Sequence, residues 1–127
     1  MTPEVEAAIS EIRLVFAGHQ VDVDSEEQGG AHVVVQDLFI GEQHVPSQSW
    51  VGFTINFQYP RSDVYPHFID PTVRRADGSK FGEGISETAN WRDRQAIQLS
   101  RKSNRWDPTR DTAALKLAKV LEWLRKQ

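Results

Sequence analysis

The chain has 127 residues, a net charge of −3 and 39% hydrophobic residues, which is typical of a single globular domain. It contains no cysteine, and this excludes disulfides, thiolate metal sites and every mechanism that uses a cysteine nucleophile. Acidic residues interrupt the N-terminus where a signal peptide would be apolar, and no apolar stretch is long enough to cross a membrane. We therefore expect one cytoplasmic domain over residues 1–127, without membrane contact.

Charge is divided unevenly along the chain. Residues 1–70 carry 2 basic and 11 acidic side chains, whereas residues 71–127 carry 13 basic and 7 acidic ones. Such a division either steers an acidic partner to one surface or lets the two halves attract each other within the fold. We favour attraction between the halves, because charged runs are usually solvated faces.

The first predicted element is an amphipathic helix of about 15 residues. Thr2 is a suitable N-cap, Pro3 suits the first helical position, and apolar residues then recur every three or four positions as far as Phe16. Gly18 marks the end of the helix. Residues 22–30 are acidic and end in two glycines, which predicts a turn region.

Two strands are predicted next. Residues 31–40 are β-branched and apolar, which indicates a strand buried on much of both faces. Residues 50–59 alternate between apolar and polar side chains, which indicates a half-buried strand, and residues 41–49 form a loop between the two. Prolines then end the second strand, although residues 67–70 have the pattern of a short edge strand.

The C-terminal third is predicted to contain a long irregular segment and a helix. Residues 72–95 are polar and poorly periodic, which indicates a long covering or functional loop. Asp107-Pro108 has the pattern of an N-cap followed by a first-turn proline, and an apolar stripe runs from Ala114 to Leu124. This order of elements predicts an α+β fold with an antiparallel meander and helices on one side.

No motif for a metal or a cofactor is found, and we expect neither. Asp22, Asp24 and Glu26 have the spacing of a calcium loop, but Glu27 and Val33 occupy the positions that require glycine and glutamate. The four histidines lack metal-ligand spacing. The glycine-containing residues 77–84 follow no predicted strand, so turns are a better interpretation than a phosphate-binding loop.

Cations and indoles alternate in one part of the C-terminal half, which allows two interpretations. The pattern is that of a surface for single-stranded nucleic acid or for an acidic protein. The alternative, which we favour, is a buried Trp106 surrounded by solvated arginines. The residues concerned are Trp91, Arg92, Arg94, Arg101, Lys102, Arg105 and Trp106.

Several motifs in order resemble the ubiquitin-conjugating enzyme family. Tyr59-Pro60 and Tyr65-Pro66, ending at Pro71, resemble the aromatic-Pro, Tyr-Pro and later proline of that family. Trp106-Asp107-Pro108 resembles its Trp-x-Pro motif, which precedes a helix. The resemblance covers most of the chain and implies an α+β fold of the conjugating-enzyme or RWD-like type, with an N-terminal helix, an antiparallel β-meander, a long irregular segment and a C-terminal helix packed on the sheet.

The catalytic positions differ from those of the family. Ile97-Gln98-Leu99 stands where the family has Ile-Cys-Leu, and Asn90 stands where it has the asparagine of His-Pro-Asn. Four residues rather than two separate Pro60 from Tyr65, the segment before Gln98 is longer, and the His-Pro pair is absent. A glutamine amide cannot form the thioester through which the family carries a ubiquitin-like protein.

The resemblance therefore implies a catalytically inactive relative that binds a ubiquitin-like protein, or its activating or conjugating enzymes. Its vestigial site consists of Asn90, Ile97, Gln98 and Leu99, and the expected partner-binding residues are Arg92, Arg94, Arg101, Tyr65 and Pro66. Ser100 or Ser103 is a less favoured ester-forming alternative, because neither has an evident base in the sequence. Two other functions stay open, namely an RWD-like interaction scaffold and, less favoured, nucleic-acid binding through the basic C-terminal half.

Overall fold

The computed structural model describes all of residues 1–127 and has the expected α+β architecture. Two helices frame eight strands. In chain order the elements are α1 (Pro3–Val15), β1 (Val21–Ser25), β2 (Ala31–Phe39), β3 (His44–Val45), β4 (Gln48–Ile55), β5 (His67–Ile69), β6 (Arg74–Arg75), β7 (Ile85–Trp91), β8 (Arg94–Leu99) and α2 (Ala113–Leu124).

Six of the strands form one antiparallel sheet in the order β1-β2-β4-β5-β8-β7, and β3 pairs with β6 separately. The predicted short edge strand near residue 67 is therefore wrong in its position, because β5 lies inside the sheet between β4 and β8. Pro66 and Pro71 flank this strand rather than interrupt it. Each of its three residues therefore has a backbone N–H, and the strand can form hydrogen bonds with both β4 and β8.

Helix α1 confirms the predicted start. The Thr2 side chain accepts a hydrogen bond from the Val5 backbone N–H at 3.1 Å, and Pro3 is the first helical residue. The helix ends at Val15, slightly earlier than predicted, and Gly18 follows with a φ of +92°. Its buried face packs into the core that it shares with α2.

Helix α2 starts later than predicted. Asp107-Pro108 does not begin a helix, because the Asp107 carboxylate accepts the backbone N–H and hydroxyl of Thr109 and closes a local turn. The N-cap is Thr112, whose hydroxyl accepts the Leu115 N–H at 3.1 Å. The predicted apolar stripe is buried, apart from the exposed Ala118.

The two faces of the sheet have different surroundings. The face that we call inner carries the main core of 25 buried residues, to which both helices contribute. The outer face carries a smaller buried cluster of four residues, and no helix contributes to it. Side chains on adjacent strand positions alternate between these two faces, so the register decides which residues can meet.

The boundaries of three other segments differ from the sequence prediction. Strand β1 occupies part of the predicted turn over residues 22–30, because Val21 and Val23 pack on β2 while the intervening aspartates face solvent. The predicted loop over residues 41–49 contains β3 and the start of β4. Strand β4 ends before the predicted residue 59, where the Asn56 side chain accepts the Gln58 N–H and closes a turn.

The largest difference lies in residues 72–95, which form β6, β7 and the turn of a hairpin rather than an irregular loop. Arg92 and Asp93 occupy this two-residue turn with φ values of +53° and +64°. The twist of the flanking strands favours such positive-φ turns. Within β7, a register irregularity between Ser86 and Ala89 interrupts the alternation that would have indicated a strand.

Candidate functional site

The family-like motifs meet around the loop between β8 and α2, residues 100–112, which we call the terminal loop. The Trp106 indole N–H donates to the Pro60 carbonyl at 2.6 Å. The Tyr59 hydroxyl accepts the Ala113 N–H at 3.1 Å and thereby satisfies a free backbone donor at the start of α2. Burial raises the pKa of Tyr59, so its hydroxyl stays neutral at physiological pH. These contacts fix the terminal loop against residues 59–66.

A polar cluster of the partly buried Asp63 and Ser103 with the buried Lys116 holds the same loop. The Lys116 ammonium donates to the two Asp63 carboxylate oxygens at 3.0 and 3.1 Å and to the Ser103 hydroxyl at 2.7 Å. The Ser103 backbone N–H donates to Asp63 at 2.8 Å. Lys116 is only 5% exposed. The cluster therefore ties α2 to the terminal loop and to the Tyr-Pro segment.

The chemistry of this cluster bears on whether Ser103 can act as a nucleophile. Its hydroxyl is positioned to donate to Asp63 at 3.1 Å and to accept from Lys116. The Lys116 ammonium acts as the donor to Ser103 and to both Asp63 oxygens, and an ammonium group has no lone pair to take the serine proton. The arrangement is that of a satisfied hydrogen-bond network.

The three residues at the family-like nucleophile position lie within β8. Ile97 and Leu99 are buried in the main core, where they take part in packing. Gln98 lies on the outer face, half-buried, with Phe68 and Ser86 as its cross-strand neighbours. Its amide donates to the Ser100 hydroxyl at 3.1 Å. Gln98 therefore occupies a paired strand position.

Asn90 does not meet Gln98. Its cross-strand partner is Gln95, three positions before Gln98 on β8, so the offset along the strand is about 10 Å. Cross-strand partners share a face, and Gln95 and Gln98 lie on opposite faces because an odd number of positions separates them. Asn90 instead lines a separate cavity of about 210 Å³ with Pro71 and Glu87.

Arg92 and Arg94 lie at the hairpin end of the sheet. The Arg94 guanidinium stacks 4.3 Å above the Trp50 ring and lies 5.6 Å from the Trp91 ring. Arg92 pairs with Asp24 at 2.9 Å. Trp91 itself is buried against Phe68, with 5.4 Å between the ring centroids. We call Trp50, Phe68, Trp91 and Arg94 the outer-face cluster.

Arg101, Tyr65 and Pro66 lie near the terminal loop, away from the outer-face cluster. Arg101 stacks 5.2 Å from the Trp123 ring, and Lys102 stacks 5.3 Å from the Tyr65 ring. Pro66 directly precedes β5. The expected partner-binding residues thus form two groups, one at the hairpin end of the sheet and one beside the terminal loop.

Three histidines are held in their neutral form. The pKa of His67 is lowered to about 3, mainly by burial and also by the nearby Lys116, while Asp63 opposes the shift. Neither ring nitrogen of His67 has a hydrogen-bond partner. Partial burial also lowers the pKa of His44, whose Nδ1 donates to the Ile40 carbonyl, and that of His32. These histidines belong to the packing of the sheet.

The sequence did not reveal the cluster of Asp63, Ser103 and Lys116. The one available signal is that Lys116 lies on the buried side of α2, between Ala113 and Val120 in helical spacing. A lysine in such a position requires a buried partner. Two ion pairs, Lys116 with Asp63 and Arg92 with Asp24, join the basic half to the acidic half, as the favoured interpretation of the charge pattern predicts.

No group of three or more His, Asp or Glu side chains is arranged to hold a metal ion. No helix is both long enough and apolar enough to span a bilayer.

The comparisons with known proteins gave one match. The model of a family described as prokaryotic E2 family E matches residues 14–127, which is most of the chain. No curated protein and no solved structure matched. The matched residues include both Tyr-Pro pairs, β8, the terminal loop and α2.

Proposed function

The chain belongs to prokaryotic E2 family E, and we propose that it binds a ubiquitin-like protein, or the enzymes that activate or conjugate one, without itself forming a thioester. The observation that carries this proposal is the absence of cysteine from the chain. Thioester chemistry requires a thiolate, and neither glutamine nor asparagine can replace it. A member of this family without a thiol retains the fold and its binding surfaces.

The surroundings of Gln98 support this proposal. Its side chain lies on a continuous strand with neighbours on both sides, and its amide is hydrogen-bonded to Ser100. The Ser100 hydroxyl thus accepts a hydrogen bond from the Gln98 amide. No histidine or carboxylate forms a hydrogen bond with the Ser100 side chain, so no general base is in place to activate it.

The second serine gives the same result. Lys116 donates to the Ser103 hydroxyl and forms a salt bridge with Asp63, so it is a hydrogen-bond donor to Ser103 and not its base. Loss of the Ser103 hydrogen bonds would also leave a buried ion pair incompletely satisfied. The chemistry of the described residues favours binding over acyl transfer.

Two surfaces are available to the proposed partner. One is the outer-face cluster with the neighbouring Arg92, and the other is the terminal loop with Arg101, Tyr65 and Pro66. Stacked arginines and partly exposed indoles are frequent among the residues that dominate binding energy at protein interfaces. Cationic side chains also favour an acidic partner through electrostatic steering.

Affinity capture from a lysate of the source organism provides the first test. The wild-type chain and the double variant Asn90→Ala/Gln98→Arg are immobilised in parallel, and retained proteins are identified by mass spectrometry. We expect the wild type to retain a ubiquitin-like protein or one of its processing enzymes. Capture by the wild type alone assigns binding to the surroundings of Asn90 or of Gln98, which the two single variants then separate, and capture by both assigns it to another surface.

The captured partner is then titrated by calorimetry against two charge reversals. Arg94→Glu tests the outer-face cluster, Arg101→Glu tests the terminal loop, and Arg74→Glu on the exposed β6 is the matched control. A change of about tenfold in Kd for one reversal, with none for the control, identifies the interface. If no ubiquitin-pathway protein binds, the proposal is wrong.

A charging assay tests the claim that no thioester forms. The chain is incubated with the captured activating enzyme, its ubiquitin-like protein and ATP, and adducts are resolved on non-reducing gels. We expect none for the wild type. Gln98→Cys tests the assignment of the nucleophile position, with the neighbouring Ser86→Cys as control. A wild-type adduct stable to thiols and cleaved by hydroxylamine would reveal a serine ester instead.

A second function, that of an interaction scaffold of the RWD-like type, is favoured by one specific observation. No helix contributes to the outer face of the sheet, and that face carries the half-exposed Trp50 beneath Arg94. A scaffold docks its partner there without any link to conjugation. Capture of proteins outside the ubiquitin pathway, abolished by Arg94→Glu and unaffected by Arg101→Glu, would support this function over the first.

A further inference from the structure

The terminal loop and part of α2 line a polar cavity of about 540 Å³. This volume is within the usual range for small-molecule sites. Of its eleven lining residues only Val120 is hydrophobic, and the remaining apolar surface of the cavity comes from the aliphatic stems of charged and polar side chains. Six of its side chains are cationic and two are carboxylates. Such a lining suits a small and highly charged anion.

The two carboxylates in the cavity are already engaged. Asp107 accepts hydrogen bonds from Thr109, which lower its pKa and keep it ionised. Asp111 accepts the Asp107 N–H at 2.7 Å and lies 3.7 Å from Lys119. Asp111 thus pairs with Lys119, whereas Asp107 forms no salt bridge and is held by Thr109, with Arg110 close enough to favour its charged form.

Four cations of the cavity have no such partner. Arg101, Lys102, Arg105 and Arg110 form no salt bridge, and their side chains make no hydrogen bond within the chain. Four like charges around one cavity repel one another. Lys116, buried at its wall, adds a fifth positive charge, although Asp63 neutralises it.

The geometry points to a binding site for a small molecule that carries at least two linked phosphate groups, such as a diphosphate. Three of the four unpartnered cations are arginines, whose planar donor pairs match phosphate oxygens. One phosphate group leaves part of this positive charge uncompensated, whereas a diphosphate balances it more fully. The unpaired side-chain amide of Asn104 supplies a further donor on the cavity wall.

A nucleic acid fits the cavity less well. Single strands bind through exposed aromatic rings on which bases stack. Arg101 and Lys102 cover the Trp123 and Tyr65 rings, and Trp106 of the terminal loop is half-buried against Tyr59, with its indole N–H bonded to Pro60. The cavity shares Arg101 and the terminal loop with one of the two proposed partner surfaces, but the inference requires neither a ubiquitin-like protein nor the position of Gln98.

Calorimetric titration of the isolated chain with inorganic diphosphate tests the inference, at an ionic strength held constant with chloride. We expect saturable binding at one site. Arg105→Ala and Arg110→Ala should each weaken it about tenfold. Arg74→Ala, which removes an exposed cation outside the cavity, should leave it unchanged. Circular dichroism verifies that each variant is folded.

Parallel titrations distinguish the chemical classes. The inference is supported if diphosphate or ADP binds more tightly than monophosphate and if Arg105→Ala weakens both ligands alike. The ratio of the ADP affinity to the diphosphate affinity reports whether a nucleoside contributes. Absence of saturable diphosphate binding overturns it. The inference is also overturned if a glutamate-rich hexapeptide or an oligonucleotide binds more tightly than diphosphate. It is overturned as well if Arg74→Ala weakens diphosphate binding as much as Arg105→Ala does. Because only the isolated chain is used, failure here leaves the proposed function unaffected.

Discussion

Gly52 lies directly beneath the indole of Trp91, so closely that a Cβ atom at this position would come within 2.3 Å of a Trp91 ring carbon. Trp91 is buried by this contact, by Phe68 and by Arg94 on the outer face of the sheet. The absence of a side chain at Gly52 thus allows a large aromatic ring to lie flat on the sheet.

Gly52→Ala is expected to lower the free energy of unfolding by about 1–3 kcal/mol, because the methyl group must displace the Trp91 ring. Urea unfolding and the tryptophan fluorescence of the native state measure the effect. Gly82→Ala is the control, since nothing lies within 4 Å of a Cβ there. Equal stability of both variants would show that the ring moves freely.

Lys116→Met is expected to destabilise the chain by about 2–4 kcal/mol, because it leaves the partly buried Asp63 carboxylate without its cation. Lys119→Met, at a side chain 71% exposed and 3.7 Å from its partner, should cost less than about 0.5 kcal/mol. Urea denaturation compares the two. The double variant Asp63→Asn/Lys116→Met should recover part of the loss, and no recovery would contradict the ion-pair explanation.

Tyr59→Phe removes the acceptor of the first backbone N–H of α2. We expect a loss of about 1–3 kcal/mol and faster hydrogen exchange at the Ala113 amide, since that buried donor would become unsatisfied. Tyr65→Phe keeps the ring beneath Lys102 and should leave both quantities unchanged. Unaltered Ala113 exchange in the first variant would show that another acceptor takes over.

His67 makes stability depend on pH in a defined direction. Its pKa in the folded chain is about 3 against an ordinary value of 6.5, so the unfolded chain binds the proton first. The contribution of His67 to the free energy of unfolding has its full value above about pH 6.5. It decreases on acidification toward pH 3, by at most about 1.4 kcal/mol per pH unit. Lys116 strengthens the shift and Asp63 opposes it.

His67→Phe should remove this contribution. Unfolding free energies of both proteins at several pH values between 4 and 7 give two curves, and we expect the difference between them to change with pH. His44 and His32 remain in both proteins, so their titration cancels in that comparison. Parallel curves would mean that His67 takes up a proton without unfolding.

Local signals in the sequence predicted helix α1 and strand β2. Thr2 and Pro3 set the start of α1 through contacts within one turn, and residues 31–39 are rich in apolar and β-branched side chains. The start of α2 was missed for a local reason as well. Asp107-Pro108 has the composition of a helix start, but the Asp107 side chain bonds to Thr109 instead.

The β7–β8 hairpin was not predictable from the same signals. Most of β7 is exposed, so hydrophobic alternation is weak, and its turn uses Arg92 and Asp93 rather than the usual asparagine and glycine. The polar cluster at the terminal loop depends on contacts across long separations, because Asp63 and Lys116 are 53 residues apart. A single sequence shows which residues need partners, but the tertiary fold selects those partners.

Strand β5 has a consequence for the cooperativity of unfolding. On one side of it lie β1, β2 and β4, and on the other lie β7 and β8, each group built mainly from pairings between neighbours in sequence. Only three residues, His67, Phe68 and Ile69, connect the two groups through backbone hydrogen bonds. Separation of β5 from either β4 or β8 would expose Ile69 of the main core. We therefore expect the three-residue strand β5 to couple the two groups of strands, so that they unfold together.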